Sequence, residues 1–236
     1  MIDIRLYRYN PEKDESPYME HLSLPEEYRH RMVLDVLEYL REKDPTLAYR
    51  RSCREGVCGS DGMNINGKNC LSCVTPVYEA TGKAGLLSIR PLPGMPVIRD
   101  LVVDQTLFFK QYHRVQPWLI NNDPKPPIEL LQSPEERERL DGLYECILCG
   151  CCTSQCPSSW WNPEKYLGPA ALLQALRFIV DSRDQATAER LAKFEDPFSL
   201  FRCRSIGNCT WVCPKGLNPM AAIGQIRREM IRTERK

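Results

Sequence analysis

The sequence predicts an α+β chain in two parts, a sheet-bearing unit over residues 1–104 and an all-α unit over residues 105–236. Three observations predict it. Strand-period alternation and an Asn-Gly turn are confined to the first part. Helix-period segments dominate the second. Twelve cysteines fall into three clumps, one in the first part and two in the second.

In order along the chain, Ile2, Ile4 and Leu6 alternate with Asp3 and Arg5, as a half-buried strand requires. Tyr7, Arg8 and Tyr9 continue one step out of phase. Val33, Val36, Leu37 and Leu40 follow helical spacing in a segment running from Arg29 to Lys43. Ile65-Asn66-Gly67-Lys68 is a hairpin turn, because Asn-Gly accepts the positive φ values of a type I′ turn. Val97–Val103 reads as a further strand. Strands flanking one helix, with a cysteine loop between them, suit a plant-type ferredoxin (β-grasp) domain. Thr106–Ile120 reads as a helix interrupted near Pro117, and Asp123-Pro-Lys-Pro-Pro127 as an extended connector. Ser133-Pro134-Glu135-Glu136 is a helix start with a capping box. Helices follow at about 168–181, 184–194 and 218–232.

Composition excludes several classes. The net charge of +1 argues against a nucleic-acid binder held by phosphate contacts. The start, Met1-Ile-Asp-Ile-Arg-Leu, lacks the basic and long apolar regions of a signal peptide. No stretch reaches the ~18 apolar residues of a spanning helix; the best, Pro169–Val180, contains Gln174 and Arg177. Contact with a membrane therefore runs through a partner or a surface. Cysteine-rich chains outside a secretory context point to metal or redox chemistry, with a disulfide framework as the alternative. The three histidines, His21, His30 and His113, lie away from the cysteine clumps and read as ordinary surface or core residues.

The first clump, Cys53-Arg-Glu-Gly-Val-Cys58-Gly-Ser-Asp61, has the plant-type 2Fe–2S spacing with aspartate in the third place. A carboxylate binds ferric iron, so Asp61 is a candidate ligand; an ordinary turn residue is the other reading. The fourth ligand lies past the hairpin at Cys70 or Cys73, or both serve and Asp61 is released. Zinc is the competing metal, though C-x4-C fits zinc knuckles poorly.

The other clumps nearly repeat one pattern. Cys146-x2-Cys149-x2-Cys152-x3-Cys156-Pro157 and Cys203-x2-Ile206-x2-Cys209-x3-Cys213-Pro214 fit the two-cluster bacterial ferredoxin run, in which the fourth cysteine ligates the other cluster. That rule gives Cys146, Cys149, Cys152 and Cys213 to a 4Fe–4S cluster. It leaves Cys156, Cys203 and Cys209 for the other, because position 206 is isoleucine. A cubane corner without a ligand tends to lose its iron, leaving 3Fe–4S. Cys151 lies outside the spacing and reads as a buried spare thiol.

Together these residues resemble the iron–sulfur subunit of succinate dehydrogenase (succinate:quinone oxidoreductase) of bacterial type. The resemblance rests on Ser52–Gly62, Glu145-Cys-Ile-Leu-Cys149, Cys156-Pro-Ser-Ser-Trp-Trp161, Phe201-Arg-Cys203 and Val212–Pro219, and it covers essentially the whole chain. It implies a 2Fe–2S cluster on Cys53, Cys58, Asp61 and Cys73, followed by the 4Fe–4S and 3Fe–4S clusters. It implies a flavoprotein (FAD) partner that oxidises succinate, membrane anchor subunits with or without heme b, and quinone as acceptor. It implies a place on the cytoplasmic face of the bacterial inner membrane. It also implies that Trp161, Pro157 and Ile206 line the quinone pocket, where an indole offers one donor and an apolar face. Cys70 is a departure from many relatives, and Arg204 stands where some bacterial relatives have histidine.

No residue reads as a succinate site and there is no flavin fingerprint, so the expected task is single-electron relay. A fumarate reductase subunit would run the same relay in reverse. A free ferredoxin or a zinc-stabilised module is the reading from a different class.

Overall fold

The computed structural model describes residues 1–82, 85–124 and 126–234. Lys125 of the expected connector, and Arg235 and Lys236 of the basic C-terminal end, lie outside the described residues. The chain divides into two compact units. One comprises Met1–Gln105 with Ile147–Gln155, the other Thr106–Cys146 with Cys156–Lys236.

The first unit is built on a five-stranded sheet of order β2-β1-β5-β3-β4. Its strands are β1 (Ile2–Arg8), β2 (Tyr18–Leu24), β3 (Gly62–Ile65), β4 (Lys68–Leu71) and β5 (Leu86–Arg90). β1 pairs antiparallel with β2 and parallel with β5, which places it inside the sheet rather than at an edge. Ile2, Ile4 and Leu6 are buried as the alternation requires. The next inward position is Arg8, which stays in phase because four hydrogen bonds hold its buried guanidinium. It donates to Asp100, Glu20 and Asp44 at 3.1, 2.7 and 2.8 Å, and to Thr46 at 3.0 Å. The Thr46 hydroxyl and then Arg8 hold Asp44 down to about 2.

The single long helix of this unit, α1 (Val33–Lys43), buries Val33, Val36, Leu37 and Leu40. It begins later than the expected Arg29, because the preceding backbone pairs with a neighbouring strand-like segment. Val33 N donates to Thr75 O at 2.9 Å and Val77 N to Arg31 O at 3.0 Å. Residues Glu26–His30 form a separate 3-10 turn. A short α2 (Val77–Thr81) follows the hairpin. The Asn66-Gly67 turn forms as expected, at φ +47° and +86°. The expected strand Val97–Val103 is instead two short strands, β6 (Val97–Arg99) and β7 (Val102–Val103). They are separated because buried Asp100, at φ +45°, turns inward to accept from Arg8, Tyr9 N and Ala48 N.

The second unit is helical. Its elements outside the cysteine runs are α3 (Thr106–Arg114), α4 (Pro134–Glu138), α7 (Pro169–Ile179), α8 (Thr187–Ala192) and α10 (Pro219–Glu234); α5, α6 and α9 belong to the cysteine runs below. α3 stops well before Ile120: Gln116 sits at φ +49° and Pro117 cannot donate. The capping box at α4 forms, with Ser133 and Glu136 bonded reciprocally. α7, all but one of whose residues are buried, is the centre of the core, packed with Ile223 and Ile226 of α10 and with Val115, Leu143 and Tyr166. Arg190 on α8 is buried against Asp184 and donates to the Val115, Gln116 and Trp118 carbonyls, closing the open end of α3.

Candidate metal centres

In the first unit the loop between α1 and β3 carries Cys53, Cys58 and Asp61. Three backbone N–H groups converge on Cys53 Sγ, from Glu55, Val57 and Cys58 at 3.5, 3.3 and 3.2 Å. They draw its thiol down to about 7. Positive φ at Arg54, Gly56 and Gly59 makes the loop tight enough for those amides to face sulfur. Cys58 Sγ lies 3.1 Å from the Ser60 hydroxyl.

Asp61 is buried and only half satisfied. Its Oδ2 accepts from Cys73 N at 2.6 Å and from Ser72 Oγ at 3.0 Å. Its Oδ1 is buried without a hydrogen-bond partner. An orphaned buried carboxylate oxygen is costly unless something else binds it, and ferric iron is such a group. Burial, and then the facing Asp61 carboxylate, pushes the Cys73 thiol up to about 12. Of the two candidates past the hairpin, Cys73 is thus the one bonded to Asp61 through its amide. Cys70 lies on β4, its thiol directed to Lys68 O at 3.7 Å. The donor set of two thiols beside the loop, one thiol and one free carboxylate oxygen fits a 2Fe–2S cluster.

The two cysteine runs repeat in backbone as well as in spacing. Leu148 and Ser205 have φ +53° and +55°, and Gly150 and Gly207 have φ +79° and +89°. Each glycine then opens a four-residue helix, α5 (Cys151–Ser154) and α9 (Asn208–Trp211). In this register Cys149 corresponds to Ile206, and Cys152 to Cys209. Cys149 is buried whereas Ile206 is 55% exposed. The segment 147–149 lies hard against the first loop: a Cβ on Gly59 would stand 2.8 Å from Ile147 O. Cys151 is buried, and its hydrogen bond to Cys149 holds the Cys149 thiol below its ordinary value. Sequence spacing, which made it a spare, carries no sign of that bond.

In the second unit, α6 (Pro157–Trp161) follows Cys156, with Pro157 at its first position. A small recess is lined by Cys156, Cys203, Cys209, Pro157, Ile206 and Tyr166, among others, including Arg204. Burial, and the neighbouring Cys156 and Cys203, push the Cys209 thiol up to about 11. Trp161 is outside that lining, at the far end of α6 and 73% exposed. Cys146 and Cys213 pack on the helical core of the same unit, as do Cys156 and Cys203. Cys149 and Cys152 belong to the first unit.

None of the twelve cysteines is in a disulfide, so the disulfide framework finds no support. Among the described residues no three His, Cys, Asp or Glu side chains converge on a single-ion site. Nor is any helix among them long and apolar enough to cross a membrane. Tyr166 is a site residue that the sequence did not signal: its buried hydroxyl makes no hydrogen bond of ordinary geometry among the described residues and interacts with the three thiols of the recess, Cys203 foremost. Burial and those thiols push its pKa up.

Comparison with known proteins matches two family models. One, described as "2Fe-2S iron-sulfur cluster binding domain", covers residues 3–110, and the other, "4Fe-4S dicluster domain", covers residues 145–218. The succinate dehydrogenase iron-sulfur subunit of Coxiella burnetii (strain RSA 493 / Nine Mile phase I) is 56% identical over 227 residues, covering 96% of this chain and 95% of that protein. The protein of the same description from Paracoccus denitrificans is 52% identical over 227 residues, covering 96% and 86%. Among solved structures, a chain described as "Mycobacterium smegmatis Sdh1 complex in the apo form" superposes with a TM-score of 0.81 at 25% identity. It covers 100% of this chain and 97% of that one.

Proposed function

We propose a mechanism for this chain from one premise: it belongs to the family of succinate dehydrogenase iron–sulfur subunits. It is an oxidoreductase subunit whose task is electron transfer, and its cofactors are 2Fe–2S, 4Fe–4S and 3Fe–4S clusters. Bound clusters pass one electron at a time, which lets a two-electron donor and a two-electron acceptor stay apart.

The 4Fe–4S and 3Fe–4S ligand sets follow from the cysteine spacing, and the 2Fe–2S set from the family resemblance, supported by the Cys73 amide on Asp61. Cys53, Cys58, Asp61 and Cys73 hold 2Fe–2S within the plant-type domain, residues 1–104. Cys146, Cys149, Cys152 and Cys213 hold 4Fe–4S. Cys156, Cys203 and Cys209 hold 3Fe–4S within the helical domain, residues 105–236. The observation that carries this reading is the repeated backbone of the two runs with Ile206 in the place of Cys149. A loop built to present a ligand there presents an apolar side chain instead, so the cluster has three protein thiolates.

Electrons arrive from the flavin of a succinate-oxidising partner subunit and leave to quinone. Membrane anchor subunits hold the chain at the cytoplasmic face of the inner membrane. Pro157 and Ile206 line the recess beside the last three cysteines, and Trp161 stands exposed on the helix that Pro157 opens. An apolar wall and an indole donor suit a quinone ring and its carbonyl.

The test is Ile206→Cys in the intact complex. Supplying the fourth thiolate converts the third cluster toward 4Fe–4S and slows quinone reduction. Low-temperature EPR of the oxidised variant reads this directly, and an undiminished 3Fe–4S signal refutes the ligand assignment.

A further inference from the structure

We infer that Tyr166 is a positioning residue whose hydroxyl donates a hydrogen bond to a sulfur of the group held by Cys156, Cys203 and Cys209, raising its reduction potential. The inference rests on the ligand reading above. Tyr166 is 2% exposed and its ring is part of the helical core, packed with residues of α7 and α10. Among the described residues its hydroxyl makes no hydrogen bond of ordinary geometry, and the one polar group close enough to interact as a hydrogen-bond partner is the Cys203 thiol. A buried phenol normally finds one.

The surroundings name the partner. The hydroxyl lies beside Cys203, Cys156 and Cys209 and Tyr166 lines the same recess. Ser158, also in that lining, has already used its hydroxyl proton on Arg202 O at 2.8 Å. The backbone around the ring is pinned, so Tyr166 cannot swing to another acceptor. Tyr166 N donates to Asn162 O at 2.9 Å and Leu167 N to Ser199 O at 3.2 Å. Ligated thiolates and bridging sulfides are acceptors only, so the phenol is the donor. A donor to sulfur favours the reduced, more negative state of an iron–sulfur group. The backbone amides on Cys53 supply the same kind of bond to the first loop. In the recess the side chain of Tyr166 provides it.

The experiment is Tyr166→Phe in the intact complex, which keeps the ring and removes only the hydroxyl. EPR redox titration is expected to show the 3Fe–4S midpoint shifted to lower potential, with the 2Fe–2S and 4Fe–4S midpoints unmoved. An unmoved 3Fe–4S midpoint, or an equal shift of all three, overturns the inference. A second measurement covers a variant that fails to retain its cluster. Proton ENDOR of the unsubstituted complex is expected to show a deuterium-exchangeable proton coupled to the 3Fe–4S spin, and its absence also overturns the inference. Absence of any 3Fe–4S signal in the unsubstituted complex is a different result, and counts against the ligand assignment itself.

Discussion

Replacing Gly59 with alanine tests the packing that ties the first cysteine loop to the segment carrying Cys149. Gly59 has φ +70°, and a Cβ there would stand 2.8 Å from Ile147 O, 3.0 Å from Cys149 Cβ and 3.1 Å from Cys149 Cα. Two costs follow. The left-handed backbone costs an L-residue roughly 1–2 kcal/mol. The contacts are with backbone and a Cβ, which cannot rotate away, so relief requires a backbone shift of the overpacking kind, about 1–3 kcal/mol. Gly67→Ala is the matched control, because Gly67 has φ +86° in the same unit and a Cβ there meets nothing within 4 Å. The difference between the two variants isolates the steric part, roughly 5- to 150-fold in the population of the closed loop. EPR spin counting of the reduced 2Fe–2S cluster, normalised to the 3Fe–4S signal of the same sample, is the assay. Gly59→Ala should fall well below Gly67→Ala. Equal occupancy in the two variants refutes the reasoning, since it would show that the close approach constrains nothing.

Three further outcomes are expected. Asp61→Ala loses the 2Fe–2S signal while Asp61→Cys keeps it; retention in Asp61→Ala would point to ligation by Cys70 and Cys73 together. Trp161→Ala slows succinate:quinone activity several-fold and leaves succinate oxidation with an artificial acceptor nearly intact, and equal loss of both contradicts a quinone contact. Arg190→Met strands the buried Asp184 carboxylate and three carbonyls, at about 3–5 kcal/mol, so the helical circular dichroism signal of the complex is lost at a distinctly lower temperature; an unchanged melt would show that the pair contributes nothing.

How much of this could be read in the residues depends on the signal each element leaves. The Ile2-Ile4-Leu6 alternation, the Asn66-Gly67 turn and the Ser133 capping box are local chemistry, and each formed in place. β2 left no such signal. Its sequence Tyr-Met-Glu-His-Leu-Ser-Leu is half-exposed, and its pairing with β1 rather than an apolar face makes it a strand. β5 is only five residues long and is defined by parallel pairing with β1. The late start of α1 and the early end of α3 follow from backbone partners and a positive φ at Gln116, both set by distant or non-periodic residues.

The centres divide the same way. Candidate thiol and carboxylate ligands announce themselves by type and spacing, and isoleucine at position 206 stands out because its run repeats another. What spacing could not show is the environment of those candidates: the amides facing Cys53, the free oxygen of Asp61 and the buried hydroxyl of Tyr166 beside the thiols. Those depend on loop conformation and on which core residue happens to abut the thiols. Counting residues left Cys70 and Cys73 both open; the resemblance implied Cys73, and its amide bonded to Asp61 supports that choice.

The central claim is that this chain holds three different clusters, the last of them short of one iron because position 206 offers no thiolate. EPR of the native complex at stepped potentials tests it most directly. The account predicts three distinct signals: a 3Fe–4S signal in the oxidised state that disappears on reduction, and 2Fe–2S and 4Fe–4S signals that appear on reduction. An oxidised sample with no 3Fe–4S signal, or a chain carrying zinc and no acid-labile sulfide, would contradict it.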